Sequence, residues 1–231
     1  MNRSPIKTRF LLIMLLLLFS FRTNCQVSDV ELWAGPIFRY SFLRIFRAEI
    51  EQQVRWNENI SAYNLTFTEA GIRAKIIDGL YFKAKYRYSF MNNAPEEDPD
   101  DEEYNEQRYM LDLSYGRKLF NSGLSADLRV RFQESHQDIT QKRFTYLRNR
   151  LELSYKVNGW LDPFVSVEMF YRFNDINQVR KYRYTVGTQV EVTRYLEINP
   201  FVHYQQDVNV KSAEDKIRLG LEAVVDIDKF F

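Results

Sequence analysis

Apolar and polar residues alternate with a period of two along most of the chain. In the segment 143–173, Leu151 and Leu153 fall on one parity, while Arg150 and Glu152 fall on the other. This is the period of a β-strand with one apolar and one polar face. The pattern recurs in eleven stretches, the first of which is weakened by a Gly-Pro pair: 29–40, 44–56, 63–77, 80–90, 108–118, 124–134, 147–157, 163–173, 181–192, 196–208 and 216–228.

The length of these strands and the charge on their polar faces predict an all-β fold, an antiparallel up-and-down transmembrane β-barrel. Strands of about 11–13 residues suit a tilted crossing of the bilayer. Bacterial single-chain barrels normally have an even number of strands, so we expect ten, with twelve as the alternative. A soluble lipid-binding barrel with its faces reversed remains a further alternative. Aromatic residues near the strand ends resemble membrane-interface girdles: Trp33, Trp56, Tyr63, Trp160 and Tyr195.

The connections between the predicted strands alternate in length. Those near Asp78 and Arg194 are short, whereas those near Pro99 and Ser212 are longer. This alternation is typical of periplasmic turns and extracellular loops. The longest connection, 91–107, holds eight acidic residues and no basic one, so we expect a solvated loop there.

The N-terminus has the parts of a secretory signal peptide. A basic segment precedes an apolar run at 10–21, and Cys25 is the last residue before the expected cleavage site. We therefore divide the chain into a signal peptide, residues 1–25, and an outer-membrane barrel domain, residues 26–231. Cleavage removes four of the 32 basic residues and none of the 31 acidic ones, which leaves a net charge of about −3. This near balance argues against a nucleic-acid partner.

On the membrane interpretation, the charged parity of the strands faces the interior of the barrel. Long side chains of both signs would pair across a lumen this narrow and fill much of it. We therefore expect no wide pore, and instead a largely plugged lumen or a narrow solute path. The predicted lumenal ion-pair network comprises Arg47, Glu49, Glu51, Arg55, Glu69, Arg73, Arg129, Arg131, Arg148, Arg150, Glu152, Glu168 and Arg172.

Six segments of the chain carry a resemblance to a known family. They are ELWAGP, EIEQQVRW, YLRNRLELSYKV, PFVSVEMFYRF, KYRYTVGTQVEV and YLEINPFVHYQ. Together they resemble the uncharacterised outer-membrane β-barrel family known as domain of unknown function 2490. The resemblance covers nearly all of the mature chain, and it implies an outer-membrane barrel of Gram-negative bacteria with no established reaction.

The chain ends on Phe231 after an amphipathic strand. A terminal aromatic residue in this position resembles the signal that the barrel-assembly machinery reads in outer-membrane proteins. We therefore expect that machinery as a partner, together with outer-membrane lipids and lipopolysaccharide. Small solutes are further candidate partners.

The two histidines are the candidates for catalysis. His203 has lumenal parity near Gln205 and Asp207, and His136 is expected in a polar loop, 135–142. A membrane-embedded hydrolase, lipase- or protease-like, would use one of them, but neither lies in a recognisable motif with a nucleophile and an orienting group. The sequence therefore favours a non-enzymatic protein. Two histidines without close spacing also argue against a zinc site, and no cofactor-binding motif is present.

Overall fold

The computed structural model is a β-barrel built from eleven strands. It describes residues 27–92, 104–119, 123–138, 141–173, 177–210 and 213–230. The strands are β1 (Val27–Phe42), β2 (Phe46–Asn57), β3 (Ala62–Ile77), β4 (Leu80–Met91), β5 (Tyr104–Lys118), β6 (Leu124–Gln137), β7 (Arg143–Tyr155), β8 (Leu161–Arg172), β9 (Gln178–Thr193), β10 (Leu196–Asp207) and β11 (Asp215–Asp226). The predicted signal peptide and Phe231 lie outside the described residues.

Each strand pairs with its neighbours in the chain, and β1 closes the barrel against β11. Consecutive strands are antiparallel, whereas β1 and β11 run parallel, with Leu32 opposite Leu219. The parallel pair follows from the odd strand number, because in an up-and-down order the first and last of eleven strands point the same way. The predicted fold class is confirmed, and the eleven strands of the described residues fall between the expected ten and twelve.

The first strand crosses the barrel in spite of the Gly35-Pro36 pair in its middle. Its pairing with β2 is interrupted at these two residues. A Cβ atom at Gly35 would lie 1.9 Å from the backbone oxygen of Gln52, so glycine is what allows the two strands to approach here. Pairing with β11 continues through both residues, with Pro36 opposite Ala223, and pairing with β2 resumes at Ile37. The break is therefore local.

The connections between strands define two different rims. Connections of two to five residues form one, the short-turn rim, and connections of four to twelve form the other, the long-loop rim. The short ones are 43–45, 78–79, 119–123, 156–160 and 194–195, and the long ones are 58–61, 92–103, 138–142, 173–177 and 208–214. In the turn 78–79, Gly79 has a φ of +83°, which glycine adopts without strain.

The apolar parity of the strands faces outward and the charged parity faces the lumen. Leu128 is 55% exposed and Tyr86 is 38% exposed, whereas Glu168 is 4% exposed. The soluble lipid-binding alternative requires the reverse arrangement, with aromatic side chains inside and charges in solvent. The structure contradicts that alternative. No helix in the described part of the chain is long and apolar enough to cross a membrane.

Strand β5 begins earlier than the sequence predicts. It starts at Tyr104, so Glu106, expected in the solvated loop 91–107, is instead a lumenal residue and is 7% exposed. Arg108 of the same strand donates a hydrogen bond to the Glu106 carboxylate, and this neutralising partner allows an acidic residue to continue the strand inside the barrel. Residues 93–103 of the expected loop lie outside the described residues.

Candidate functional site

The candidate site is the charged lumen. All thirteen residues of the predicted network have the inward parity of their strands. Eleven of them line one of two lumenal chambers. The other two, Arg47 and Arg172, lie near the short-turn and long-loop rims respectively. The contacts of the thirteen residues differ from one position to the next.

Glu168 of β8 joins two arginines from β6 and β7. Its Oε1 lies 2.5 Å from Nη2 of Arg129, and Arg148 donates to both of its carboxylate oxygens, at 3.1 and 3.0 Å. Arg148 also donates to Oε1 of Gln133 at 2.8 Å. Removing one partner of such a buried pair leaves an uncompensated charge, which costs about 3–5 kcal/mol. The contact therefore ties three strands together from inside.

Two further carboxylates anchor neighbouring strands in the same way. Arg131 donates to both oxygens of Asp112, at 2.6 and 2.7 Å, which is the bidentate geometry of a strong charge-assisted pair. Glu69 pairs with Lys85 and with Arg87, whose Nη2 lies 2.6 Å from Oε2. Asp112 is 5% exposed and Glu69 is 2% exposed. Because these pairs are shielded from water, the loss of one charge would leave its partner buried and unpaired.

Among the ion pairs closer to the short-turn rim, those of Arg150 are looser. Lys83 approaches Glu49 at 2.6 Å, but Arg150 lies 3.6 Å from Asp127 and 3.4 Å from Glu152. The side chain of Arg150 is 28% exposed. Partly exposed pairs at these distances contribute little to stability, about 0–1 kcal/mol.

Five of the thirteen predicted positions form no ion pair within the described segments. Their contacts are neutral: a hydroxyl group for Arg47, an amide group for Glu51 and Arg55, and an aromatic ring for Arg73 and Arg172. The predicted network is therefore less complete than the sequence indicates. The reason is register, because alternation along one strand does not set which charge lies beside it on the next.

Trp33 lies in the lumen, so its predicted place in the aromatic girdle is wrong. It is 5% exposed, its Nε1 donates to Oε2 of Glu31 at 2.9 Å, and the guanidinium carbon of Arg55 lies 3.6 Å from its ring centroid. Its parity in β1 is the lumenal one, which outweighs its position near a strand end. Trp160 and Tyr63, also predicted in the girdle, are 54% and 39% exposed.

An ion pair that the sequence did not predict crosses the seam between β1 and β11. Arg218 donates to Glu31 from Nε at 2.7 Å and from Nη2 at 3.1 Å. Both residues are buried. The inward parity of every strand, applied throughout, identifies Glu31, Asp112, Arg183 and Arg218 as lumenal. That signal was present in the sequence, although it does not reveal which residues pair.

The lumen contains two chambers that share part of their walls. The long-loop chamber, on the side of the long-loop rim, has a volume of about 690 Å³, and the short-turn chamber has about 420 Å³. Glu69, Arg129 and Arg131 line both of them. Twelve Lys or Arg and seven Asp or Glu residues line the long-loop chamber, whereas seven of each line the short-turn chamber. The lumen is therefore electrostatically asymmetric.

The structure separates the two histidines. His136 belongs to strand β6, which continues through Gln137, and not to the expected loop 135–142. It shares the outward parity of Phe132, which is 43% exposed. His203 lies on the other side of the barrel wall, in the long-loop chamber. The two side chains therefore do not form one site.

His203 contacts a hydroxyl group, as a catalytic base would. Its Nδ1 lies 2.7 Å from Oγ1 of Thr185. Its other ring contacts in the described residues are with the aromatic rings of Trp33 and Phe201, and no carboxylate orients the imidazole there, which a nucleophile–base pair needs. Among the described residues, no group of three or more His, Cys, Asp or Glu side chains is arranged to hold a metal ion.

Comparisons with known proteins place the chain in a family. No curated protein matches it. Among solved structures it is similar to the translocator domain of the autotransporter NalP from Neisseria meningitidis, with 14% sequence identity and a TM-score of 0.48, covering 76% of this chain and 72% of that one. The family described as "Protein of unknown function (DUF2490)" matches residues 30–216. Because this match spans most of the sequence, the chain belongs to the DUF2490 family.

Proposed function

We propose that the chain is a non-enzymatic β-barrel protein of the bacterial outer membrane whose lumen is largely plugged by ion pairs. The observation that carries this proposal is the sidedness of a closed barrel, with apolar side chains outside and charged ones inside. A continuous apolar outer surface is unfavourable in water and favourable in hydrocarbon. Closure also satisfies the backbone hydrogen bonds of every strand, which the bilayer interior demands.

The plugged lumen is supported by pairs that converge from several strands. Glu69, Asp112 and Glu168 each hold at least one arginine, and all three are buried. The two chambers leave room for water and small solutes between these pairs. Wide aqueous channels belong to barrels with more strands, about 16–18. We therefore propose that only small solutes pass, along a narrow path.

The outer-membrane location supplies the proposed partners. Lipids and lipopolysaccharide would contact the apolar outer face, and the barrel-assembly machinery would recognise the segment that contains Phe231, the predicted assembly signal. Deletion of Phe231 is expected to lower the amount of folded protein in the outer membrane. Equal amounts with and without Phe231 would contradict this assembly signal.

Cell fractionation tests the location. The full chain is expected in the detergent-extracted outer-membrane fraction, and it should migrate faster on a gel before heating than after heating, because a closed barrel resists detergent. A heated sample serves as the unfolded control. Recovery from the aqueous periplasmic fraction would overturn the proposal.

Planar-bilayer recordings test the plug. The wild-type chain is expected to give no steps or small ion-selective steps. Glu168→Gln removes the charge that holds Arg129 and Arg148, so it is expected to give larger or more frequent steps. Glu197→Gln near the short-turn rim is the matched control, because in the described structure Glu197 forms no ion pair within 4 Å. Large, steady steps from the wild-type chain would contradict a plugged lumen.

Hydrolysis assays test the non-enzymatic part of the proposal. Purified wild-type chain and a His136→Gln, His203→Gln double variant are incubated with phospholipid and with peptide substrates. No difference between them is expected. An activity that the double variant loses would favour the hydrolase alternative instead.

A further inference from the structure

We propose that the long-loop chamber binds a small anion carrying carboxylate or phosphate groups, held between Arg55 and Arg183 beside Trp33. This inference deepens the proposed function, since it rests on a lumen that admits small solutes, and it names the chemistry of the solute. Three features support it: the charge balance of the chamber, two arginines without acidic partners among the described residues, and the aromatic ring that these arginines surround.

The two chambers differ in the balance of basic and acidic residues that line them. The long-loop chamber is lined by five more basic than acidic residues, whereas the short-turn chamber is balanced. Like charges at a shared site repel each other strongly when water is scarce. Asp112 and Glu49, which line only the short-turn chamber, neutralise Arg131 and Arg39. The remaining excess of three basic residues is stabilised when an anion enters. The short-turn chamber offers no such excess.

Arg55 and Arg183 account for much of this excess. Arg55 donates from Nε to Oε1 of Gln53 at 2.7 Å, and Arg183 donates from Nη2 to Oε1 of Gln205 at 3.0 Å. Both acceptors are neutral amides. Neither arginine has a carboxylate within 4 Å among the described residues, and Nε of Arg183 is buried without a hydrogen-bond partner there.

Two acidic side chains that line the chamber are already engaged by other arginines. Glu31 accepts two hydrogen bonds from Arg218, and Glu168 is shared by Arg129 and Arg148. Even so, Nη1 of Arg218 is buried without a partner in the described structure. Unpaired donors of this kind call for an acceptor that the described residues do not supply.

These arginines surround the ring of Trp33. The guanidinium carbons of Arg55, Arg218 and Arg183 lie 3.6, 5.0 and 5.4 Å from its centroid. Stacking on an aromatic face fixes the plane of a guanidinium group while its N–H groups stay free. Fixed guanidinium forks match the oxygen spacing of carboxylates and phosphates. The chamber volume of about 690 Å³ is within the range of small-molecule sites, about 300–1,000 Å³.

The test is a titration of the full-length chain, purified in detergent, with citrate and with inorganic phosphate. Calorimetry measures the affinity. A Trp56→Phe, Trp160→Phe variant leaves Trp33 as the only tryptophan, so its fluorescence reports whether the anion arrives at this ring. Saturable binding of at least one of the two anions, with a change in Trp33 emission, is the expected result.

Arg55→Gln and Arg183→Gln are expected to weaken binding roughly tenfold to a hundredfold, since each removes charged hydrogen bonds to the anion. Arg55→Lys and Arg183→Lys keep the charge but lose the fork, so a smaller loss is expected. Arg73→Gln is the matched control, because Arg73 is a lumenal arginine that lines only the short-turn chamber. Heat-modified migration on gels verifies that each variant is folded.

Unchanged affinity in an Arg55→Gln, Arg183→Gln double variant would overturn the inference, as would the absence of saturable binding of both anions. An equal loss in Arg73→Gln would also overturn it, because that would indicate a general effect of lumenal charge. The titration does not depend on where the protein resides in the cell. Its failure is therefore distinguishable from a failure of the fractionation experiment that tests the proposed function.

Discussion

Glu31 and Arg218 form a bidentate ion pair between the first and last strands of the barrel, although 187 positions separate them in the chain. The donor–acceptor distances are 2.7 and 3.1 Å, and the residues are 6% and 7% exposed. The pair closes the lumenal side of the one parallel junction. It is therefore the side-chain contact most directly linked to closure of the barrel.

Breaking the Glu31–Arg218 pair is expected to destabilise the barrel. Glu31→Gln or Arg218→Met should each cost about 3–5 kcal/mol, because each leaves one buried charge without its partner. Urea unfolding of the chain in lipid vesicles measures the cost, and gel migration should show unfolding at a lower temperature.

Two controls accompany that experiment. Glu214→Gln removes a carboxylate whose side chain is 51% exposed and whose pair with Lys216 is on the surface, so little change is expected. The exchanged pair, Glu31→Arg with Arg218→Glu, should recover part of the stability. A barrel that tolerates either single change as well as it tolerates Glu214→Gln would argue against a role in closure.

Asp112 and Arg131 are expected to be strongly coupled in their contributions to the free energy of unfolding. Asp112→Leu and Arg131→Met each leave a buried, unpaired charge, and should each destabilise by about 3–5 kcal/mol. The double variant removes both charges, so it should be much less destabilised than the sum of the two. A double-mutant cycle on the free energy of unfolding measures this. Additive costs would mean that the two side chains do not interact in the folded barrel.

The packing of the Phe201 ring is expected to depend on Gly220 in the neighbouring strand. A Cβ atom at Gly220 would lie 2.0 Å from Cζ of the Phe201 ring, so Gly220→Ala forces the ring out of place. Overpacking of this kind costs about 1–3 kcal/mol. Combining Gly220→Ala with Phe201→Leu should restore part of the loss. Gly159→Ala is the control, because no atom lies within 4 Å of a Cβ there.

A charge on the outer face is expected to be costly if that face meets lipid. Val130 lies midway along β6 and is 45% exposed. Val130→Arg should destabilise the barrel in lipid vesicles by about 2–4 kcal/mol, the cost of arginine near the bilayer midplane. Val157→Arg, in the short connection 156–160, should cost much less. Equal costs at the two positions would argue against a bilayer around β6.

The alternation along each strand predicted much of the architecture. It separated outward residues such as Leu128 from lumenal ones such as Arg129, and it identified the strands from β2 onward. It was less informative where a strand starts among acidic residues, as at Glu106, because solvation and ion pairing depend on neighbouring strands. Nearness to a strand end predicted a girdle position for Trp33, whereas the alternation itself places this residue in the lumen.

The alternation of residues along the chain is enough to predict most of the strands, their apolar and charged faces, and which parity faces the lumen. These properties are local, because side chains two positions apart share a face whatever lies beyond them. The strand number, the parallel closure of β1 on β11 and the partner of each charge became known from the folded barrel. Those depend on register between strands, which places Arg218 on Glu31 and leaves Arg55 and Arg183 without a carboxylate.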